Sequence, residues 1–330
     1  MLSAYRCQAD LLAPATFPVP AEETSTLVWI DLLNPTPEED KAVEAAFGIS
    51  IPSQDEMQEI ELSSRLYAEN GAEFLTMTAL ANLDSDEAIK TPVTFILKAS
   101  VLVTVRWSDP RPFTAYRIRA ARQKETMSGS GEQVMIGLLE ALVDRTADAL
   151  ERVGNEIDAI SRAVFGNKAR KVDKKTHDLQ AVIEQLGRKS ELLTMVQESL
   201  VSLGRLTAYH VALERVTKPT PAARETKNML KMIQRDAISL GEHARGLIAR
   251  VNFLLDATLG LINLEQNQII KIFSVAAVVF LPPTLVASIY GMNFEFMPEL
   301  ASPFGYPIAL GLMVLSAVLP YLFFKRKGWL

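Results

Sequence analysis

The sequence predicts an α+β domain, followed by long α-helices that form a stalk and by a two-helix transmembrane hairpin at the C-terminus. Three observations predict it. Two runs of nineteen residues, 272–290 and 306–324, carry no charge, and a helix needs about 20 apolar residues to cross the roughly 30 Å hydrocarbon core. From Glu132 onward apolar residues recur at helical spacing. Before Ser128, short runs rich in Val, Ile and Thr alternate with capped helical segments.

Taken in order, 27–32 (Leu-Val-Trp-Ile-Asp-Leu) reads as a strand. A helix to Phe47 follows, with Thr36 as cap, Pro37 at its first position and acids in its first turn. Ser53 and Glu56 have capping-box spacing and start a short helix. Strands are expected at 63–68 and 73–81, a hairpin pair at 93–98 and 100–106, and a helix from Asp109-Pro110 through Arg122. Residues 1–127 thus form a cytosolic α/β domain, and Ser128-Gly-Ser-Gly131 reads as a linker.

The long-helix domain covers 132–271. Its first helix runs to about Phe165, with Val134, Leu138, Leu142, Leu150, Val153, Ile157, Ile160 and Val164 on its apolar stripe. The second is expected at 172–216, ending at Lys218-Pro-Thr-Pro221. The third starts near Ala222 and meets no Pro before Pro282. Within it Ala244, Leu247, Val251, Leu254, Thr258 and Leu261 keep the three-four spacing of a packed seam. With nothing to break it at the membrane boundary, it continues into the first span, a helix of roughly 100 Å at 1.5 Å per residue.

The first span is 272–290, the joining loop 291–305, the second span 306–324 and a basic tail 325–330. Lys271 and Lys325, Arg326 and Lys327 lie on the outer flanks, while the loop holds Glu295 and Glu299 and no Lys or Arg. By the positive-inside rule both termini are cytoplasmic and the loop faces out. A buried hairpin in a soluble core is the alternative, but Tyr290, Tyr306, Tyr321 and Trp329 sit where membrane-interface anchors belong.

Composition excludes several functions. A net charge of −5, without a basic stripe interleaved with aromatics, argues against nucleic acid. Cys7 is the single cysteine, so no disulfide framework or thiolate metal cluster is expected. His177, His210 and His243 are widely spaced on helical stretches and read as solvated rather than as zinc ligands. The first ten residues lack a signal-peptide pattern, so everything before Lys271 is expected in the cytosol. No Gly-rich phosphate loop and no nucleophile–base set occurs, so neither an enzyme nor an organic cofactor is expected.

One face of the third helix stands out. Asp256, Asn267, Ile270, Ser274, Ala277, Leu281, Thr284 and Ser288 fall in a narrow sector, polar at both ends and apolar in the middle. The hydroxyls either line water inside the bilayer or bond the backbone carbonyls freed by Pro282-Pro283; the aqueous lining is the favoured reading. Two helices cannot enclose a path, so such a face implies a cyclic oligomer.

Tyr290-Gly-Met-Asn293 at the end of the first span, followed by Phe294-Glu-Phe-Met-Pro-Glu-Leu300, resembles the CorA magnesium transporters. The likeness extends through Gly305-Tyr306-Pro307 to the terminal Lys325-Arg-Lys-Gly-Trp-Leu330. Met1-Leu-Ser-Ala-Tyr and Leu281-Pro-Pro-Thr-Leu-Val-Ala-Ser resemble the enterobacterial-type members, and Met292 stands where the zinc-transporting branch usually has Val. The resemblance implies a homopentameric funnel in the inner membrane, with the first span lining the pore. It implies a selectivity ring at Gly291, Met292 and Asn293, with Thr284 one level inward. Leu281 and Ile270 would form an apolar constriction, and Asn267 and Asp256 the cytosolic mouth. It implies Mg²⁺ as transported and regulatory ion. The regulatory pair cannot be carried over by position; Asp236 and Glu242 are its weak candidates. The same architecture serving Zn²⁺, Ni²⁺ or Co²⁺, and a membrane-anchored sensor, are the rival readings.

The residues suit the ion. Mg²⁺ gives up water reluctantly, no acid lies within the spans, and Asn amides can accept hydrogen bonds from its hydration shell. Gly291 is expected in the left-handed conformation that ends helices, leaving the negative end of the dipole towards the cation. Glu295 and Glu299 either concentrate cations outside or serve solubility. Met292, a soft thioether, is expected to pack the turn.

Overall fold

The computed structural model describes residues 1–19, 26–85, 87–123, 129–166, 175–213, 221–293, 297–298 and 302–329, with backbone alone at 175–178 and 221–223. Its packing divides the chain into two compact units. One is Met1–Lys168 with Val182–Leu254; the other is Ala169–Ala181 with Leu255–Leu330. Residues 129–131 fall inside the first unit.

The first unit is built on seven strands: β1 (Leu2–Gln8), β2 (Leu11–Ala15), β3 (Leu27–Leu33), β4 (Leu66–Glu69), β5 (Ala72–Ala81), β6 (Ile89–Lys98) and β7 (Val101–Arg106). They form one sheet in the order β2-β1-β3-β7-β6-β5-β4. Neighbours are antiparallel, except that β3 and β7 at the centre run parallel. Between β3 and β4 lie α1 (Pro37–Phe47), α2 (Gln54–Gln58) and α3 (Leu62–Arg65); α4 (Arg111–Ala120) follows β7.

Both expected caps form. Thr36 and Glu39 make a capping box on α1, closed by Gly48 in the left-handed region (φ 60°), and Ser53 and Glu56 make one on α2. Glu39 is also 2.9 Å from the N-terminal ammonium and accepts the Leu2 N–H at 2.8 Å. The expected β6–β7 hairpin is present, turning through Ala99 (φ 52°). The strand expected at 63–68 is corrected: α3 ends at Arg65 and β4 runs to Glu69. Asn70 (φ 50°) and Gly71 (φ 71°) make the tight turn that pairs Glu69 with Ala72 and so sets the register of β4. The β1–β2 hairpin has no counterpart in the sequence reading. Its turn is Ala9-Asp10, both at positive φ, without the Gly or Asn that usually signals one.

Each face of the sheet has its own core. Ile30, Leu32, Val103 and Val105 pack with Val43 of α1 and Met57 of α2. On the opposite face Trp29 lies 6.5 Å from the Phe113 ring and 6.0 Å from Tyr116, both on α4. All three are essentially inaccessible to water, each burial being worth roughly 1.5–3 kcal/mol. Asp31 and Arg106 are buried on this face as a two-pronged pair, Nε to Oδ1 at 2.9 Å and Nη2 to Oδ2 at 2.7 Å.

Three long helices follow α4: α5 (Gly131–Phe165), α6 (Lys175–Leu213) and α7 (Pro221–Tyr290). Gly131 opens α5 against the sheet. Its N–H donates to the Ser100 carbonyl at 2.7 Å, and any side chain there would collide with the backbone of Val101 and Leu102. The expected seam of α7 is buried at Ala244, Leu247, Val251 and Leu254.

In the second unit α7 continues past Leu255 through Pro282 and Pro283 to Tyr290, and α8 spans Gly305–Arg326. Among the described residues these two helices are long and apolar enough to cross a membrane. Their apolar residues are mostly exposed, Phe273 and Phe280 each at 71%, which marks them as surfaces made for lipid or for other copies of the chain. Beyond α8, Gly328 (φ 68°) lets the Trp329 N–H reach the Phe324 carbonyl at 3.1 Å.

Candidate functional site

The stripe read from the sequence lies on one helix. At about 100° per residue, Asp256, Asn267, Ile270, Ser274, Ala277, Leu281, Thr284 and Ser288 span a sector of about 100° on α7. All eight are exposed in the single chain, Ile270 at 61% and Leu281 at 68%. They are strung along the helix over about 48 Å, so one chain presents a line of groups and encloses nothing.

Two prolines sit inside this line. Pro282 and Pro283 have no N–H, so the carbonyls of Val278 and Val279 lose their usual donors. Thr284 bonds back, its hydroxyl donating to the Phe280 carbonyl at 2.7 Å. With its proton turned into the helix, the Thr284 oxygen keeps its lone pairs outward. Such an oxygen can accept a hydrogen bond from a hydrated cation.

The end of α7 corrects one expectation. Gly291 does not have positive φ. Its N–H donates to Ala287 at 2.9 Å and the Met292 N–H donates to Ile289 at 3.3 Å. The helix therefore ends by tightening to an i→i−3 bond, which uses the terminal donors without a left-handed residue. Glycine still matters, because a Cβ would stand 3.1 Å from the Ala287 carbonyl. Gly291, Met292 and Asn293 are all exposed. Glu295 and Glu299 lie outside the described residues.

The weak regulatory candidates, Asp236 and Glu242, are both exposed on α7. Six residues apart, they point about 120° away from one another within one chain. Among the described residues no three His, Cys, Asp or Glu side chains gather closely enough to hold a metal.

His210 corrects another reading. It is buried rather than solvated, with Nδ1 2.6 Å from Glu73 on β5 and Nε2 3.3 Å from Glu132 in the first turn of α5. Burial alone would push its pKa down, but the bonds to Glu132 and Glu73 outweigh that and raise it to about 9. The signal lay in spacing: Leu203, Leu206, Thr207 and His210 form one buried row of α6. His243 is exposed as expected, and the side chain of His177 lies outside those described.

The chain as a whole is similar to known proteins. The family described as CorA-like Mg²⁺ transporter protein matches residues 24–326. The magnesium transport protein CorA of Yersinia pseudotuberculosis is 35% identical over 331 residues, covering all of both chains. That of Escherichia coli is 35% identical over 334 residues, again covering both completely. The complete structure of the CorA magnesium transporter from Methanocaldococcus jannaschii matches with a TM-score of 0.76 at 19% identity, covering 100% of this chain and 99% of that one.

Proposed function

The chain belongs to the CorA-like Mg²⁺ transporter family, and from that premise we propose that it carries Mg²⁺ into the cytoplasm through a pore lined by the α7 stripe of several copies. The observation that carries this reading is Asn293, exposed just past the end of α7, where the uncharged span and its one-sided polar row also end. The copies form a homopentamer in the inner membrane with both termini cytoplasmic; the number five comes from the resemblance. Exposure of the whole stripe in one chain supports assembly, since a row containing Ser274, Thr284 and Ser288 gains little from lipid.

In this mechanism the ion keeps much of its water. Asn293 rings and the outward lone pairs of Thr284 accept from that shell, while Glu295 and Glu299 attract cations to the mouth. Influx is driven by the membrane potential, worth about 2.3 kcal/mol per charge per 100 mV and twice that for a divalent ion. Leu281 and Ile270 close the path by dewetting, and Asn267 and Asp256 receive the ion inside. Co²⁺ and Ni²⁺, which also hold six waters, pass as well. Cytosolic Mg²⁺ closes the pore by bridging subunits through carboxylates.

The test is ion flux into liposomes containing the purified full chain, read with a Mg²⁺ indicator under an imposed inside-negative potential. Potential-dependent Mg²⁺ entry is expected. Entry of Zn²⁺ without Mg²⁺ would favour the soft-metal reading, and no flux of either would leave the hairpin as an anchor.

A further inference from the structure

A cleft of about 500 Å³ opens in the first unit where β4 stops pairing with β5. β4 covers only residues 72–75 of β5. The edge beyond is met by α6, whose Ser202 hydroxyl accepts the Thr78 N–H at 3.0 Å. Arg65, the last residue of α3, and Arg205, on α6, both line this cleft. Arg65 donates from Nη2 to the Thr78 hydroxyl at 2.9 Å, but its Nε is buried with no acceptor. Burial, and then the charge of Arg205, hold the Arg65 pKa below the usual guanidinium range.

Other buried or clustered arginines in this unit carry their own acids. Arg106 has Asp31 and Asp109; Arg111, Arg145 and Arg152 converge on Asp84; Arg250 has Asp158. In the cleft, Glu198 is engaged 2.8 Å from Lys90, and Glu242 belongs to the adjoining cleft that Arg205 also borders. Arg65 and Arg205 thus put two like charges beside one cleft, and among the described residues neither is in an ion pair.

We propose that this cleft binds a phosphate monoester of nucleotide size, with Arg65 and Arg205 holding the phosphoryl oxygens. Two guanidinium forks match the geometry and charge of a phosphate dianion. The volume falls in the range of small-molecule sites and greatly exceeds what inorganic phosphate would fill. Gln197 and Ser202 offer polar partners for a sugar, and Ile60, 95% exposed, and Leu62 offer an apolar face to a base at the rim. The site is separate from the α7 stripe and does not depend on what passes along it.

The experiment is calorimetric titration of the full-length protein in detergent at low salt, with AMP and with inorganic phosphate. AMP is expected to bind and inorganic phosphate to bind more weakly. Arg65→Gln and Arg205→Gln should each weaken AMP by about tenfold or more. Arg205 is exposed, so its replacement leaves the fold intact and keeps the test valid if Arg65→Gln misfolds. No AMP binding at millimolar concentration, or equal binding by parent and Arg205→Gln, would overturn the assignment. Phosphate binding as tightly as AMP would overturn the larger ligand. A change of oligomer size in both variants without AMP binding would give the arginines to a carboxylate of a second copy, and would overturn it too.

Discussion

His210 Nδ1 stands 2.6 Å from Glu73 Oε2, joining α6 to β5 across 137 positions of sequence. Glu132 engages the other ring nitrogen at 3.3 Å, so the doubly protonated ring can donate to both acids. With the folded pKa raised from 6.5 to about 9, the stabilisation is complete below pH 6.5 and is lost as pH rises through about 9. The melting temperature of the full chain should therefore fall between these limits, and His210→Gln should flatten that fall while lowering stability by about 2–3 kcal/mol at pH 6. Melting curves at pH 6, 8 and 9.5 check it; a parent as stable at 9.5 as at 6 would contradict it.

Arg106 and Asp31 predict a contrast between buried and exposed pairs. Both side chains are within 5% of full burial, so Arg106→Met strands the Asp31 charge and should cost about 3–5 kcal/mol. Lys90→Met breaks a half-exposed pair with Glu198 and should cost under about 1 kcal/mol. Denaturant unfolding of both variants measures the gap.

Asn293 is exposed where α7 ends. Asn293→Ala should abolish Mg²⁺ uptake in liposomes while size-exclusion mass stays that of the parent. Normal uptake by an assembled variant would remove Asn293 from the mechanism.

Leu281 is 68% exposed at the apolar centre of the stripe. Leu281→Ser should wet the constriction and raise flux at an internal Mg²⁺ level that closes the parent. Asp256→Ala should weaken capture at the inner mouth and leave closure intact. A Leu281→Ser protein that still shuts at the parent's Mg²⁺ level would place the gate at Ile270 or Asn267.

The loop after α7 is acidic and the flanks are basic. Ser302→Cys should react with an impermeant thiol reagent in intact cells, whereas Cys7 should not. Labelling of Cys7 alone would reverse the topology.

The sequence by itself determined the features whose cause is local. Thr36-Pro37 and Ser53 with Glu56 cap helices through bonds three residues long. Charge-free length marks the spans, and 3.6-residue periodicity marks both the packed seam and the one-sided row of α7. Whatever depends on groups distant in sequence was decided by the tertiary structure. The parallel pairing of β3 with β7 joins residues more than 70 apart. His210 looked solvated because nothing near it in sequence announces Glu73 or Glu132. Arg65 and Arg205 are ordinary surface residues until the end of β4 and the passage of α6 bring them to one cleft. Gly291 is a local exception: glycine there predicted a left-handed end, but the terminal N–H groups bond Ala287 and Ile289 and its φ is not positive. Local propensities set which elements form, and long-range contacts choose among the conformations and protonation states that those propensities leave open.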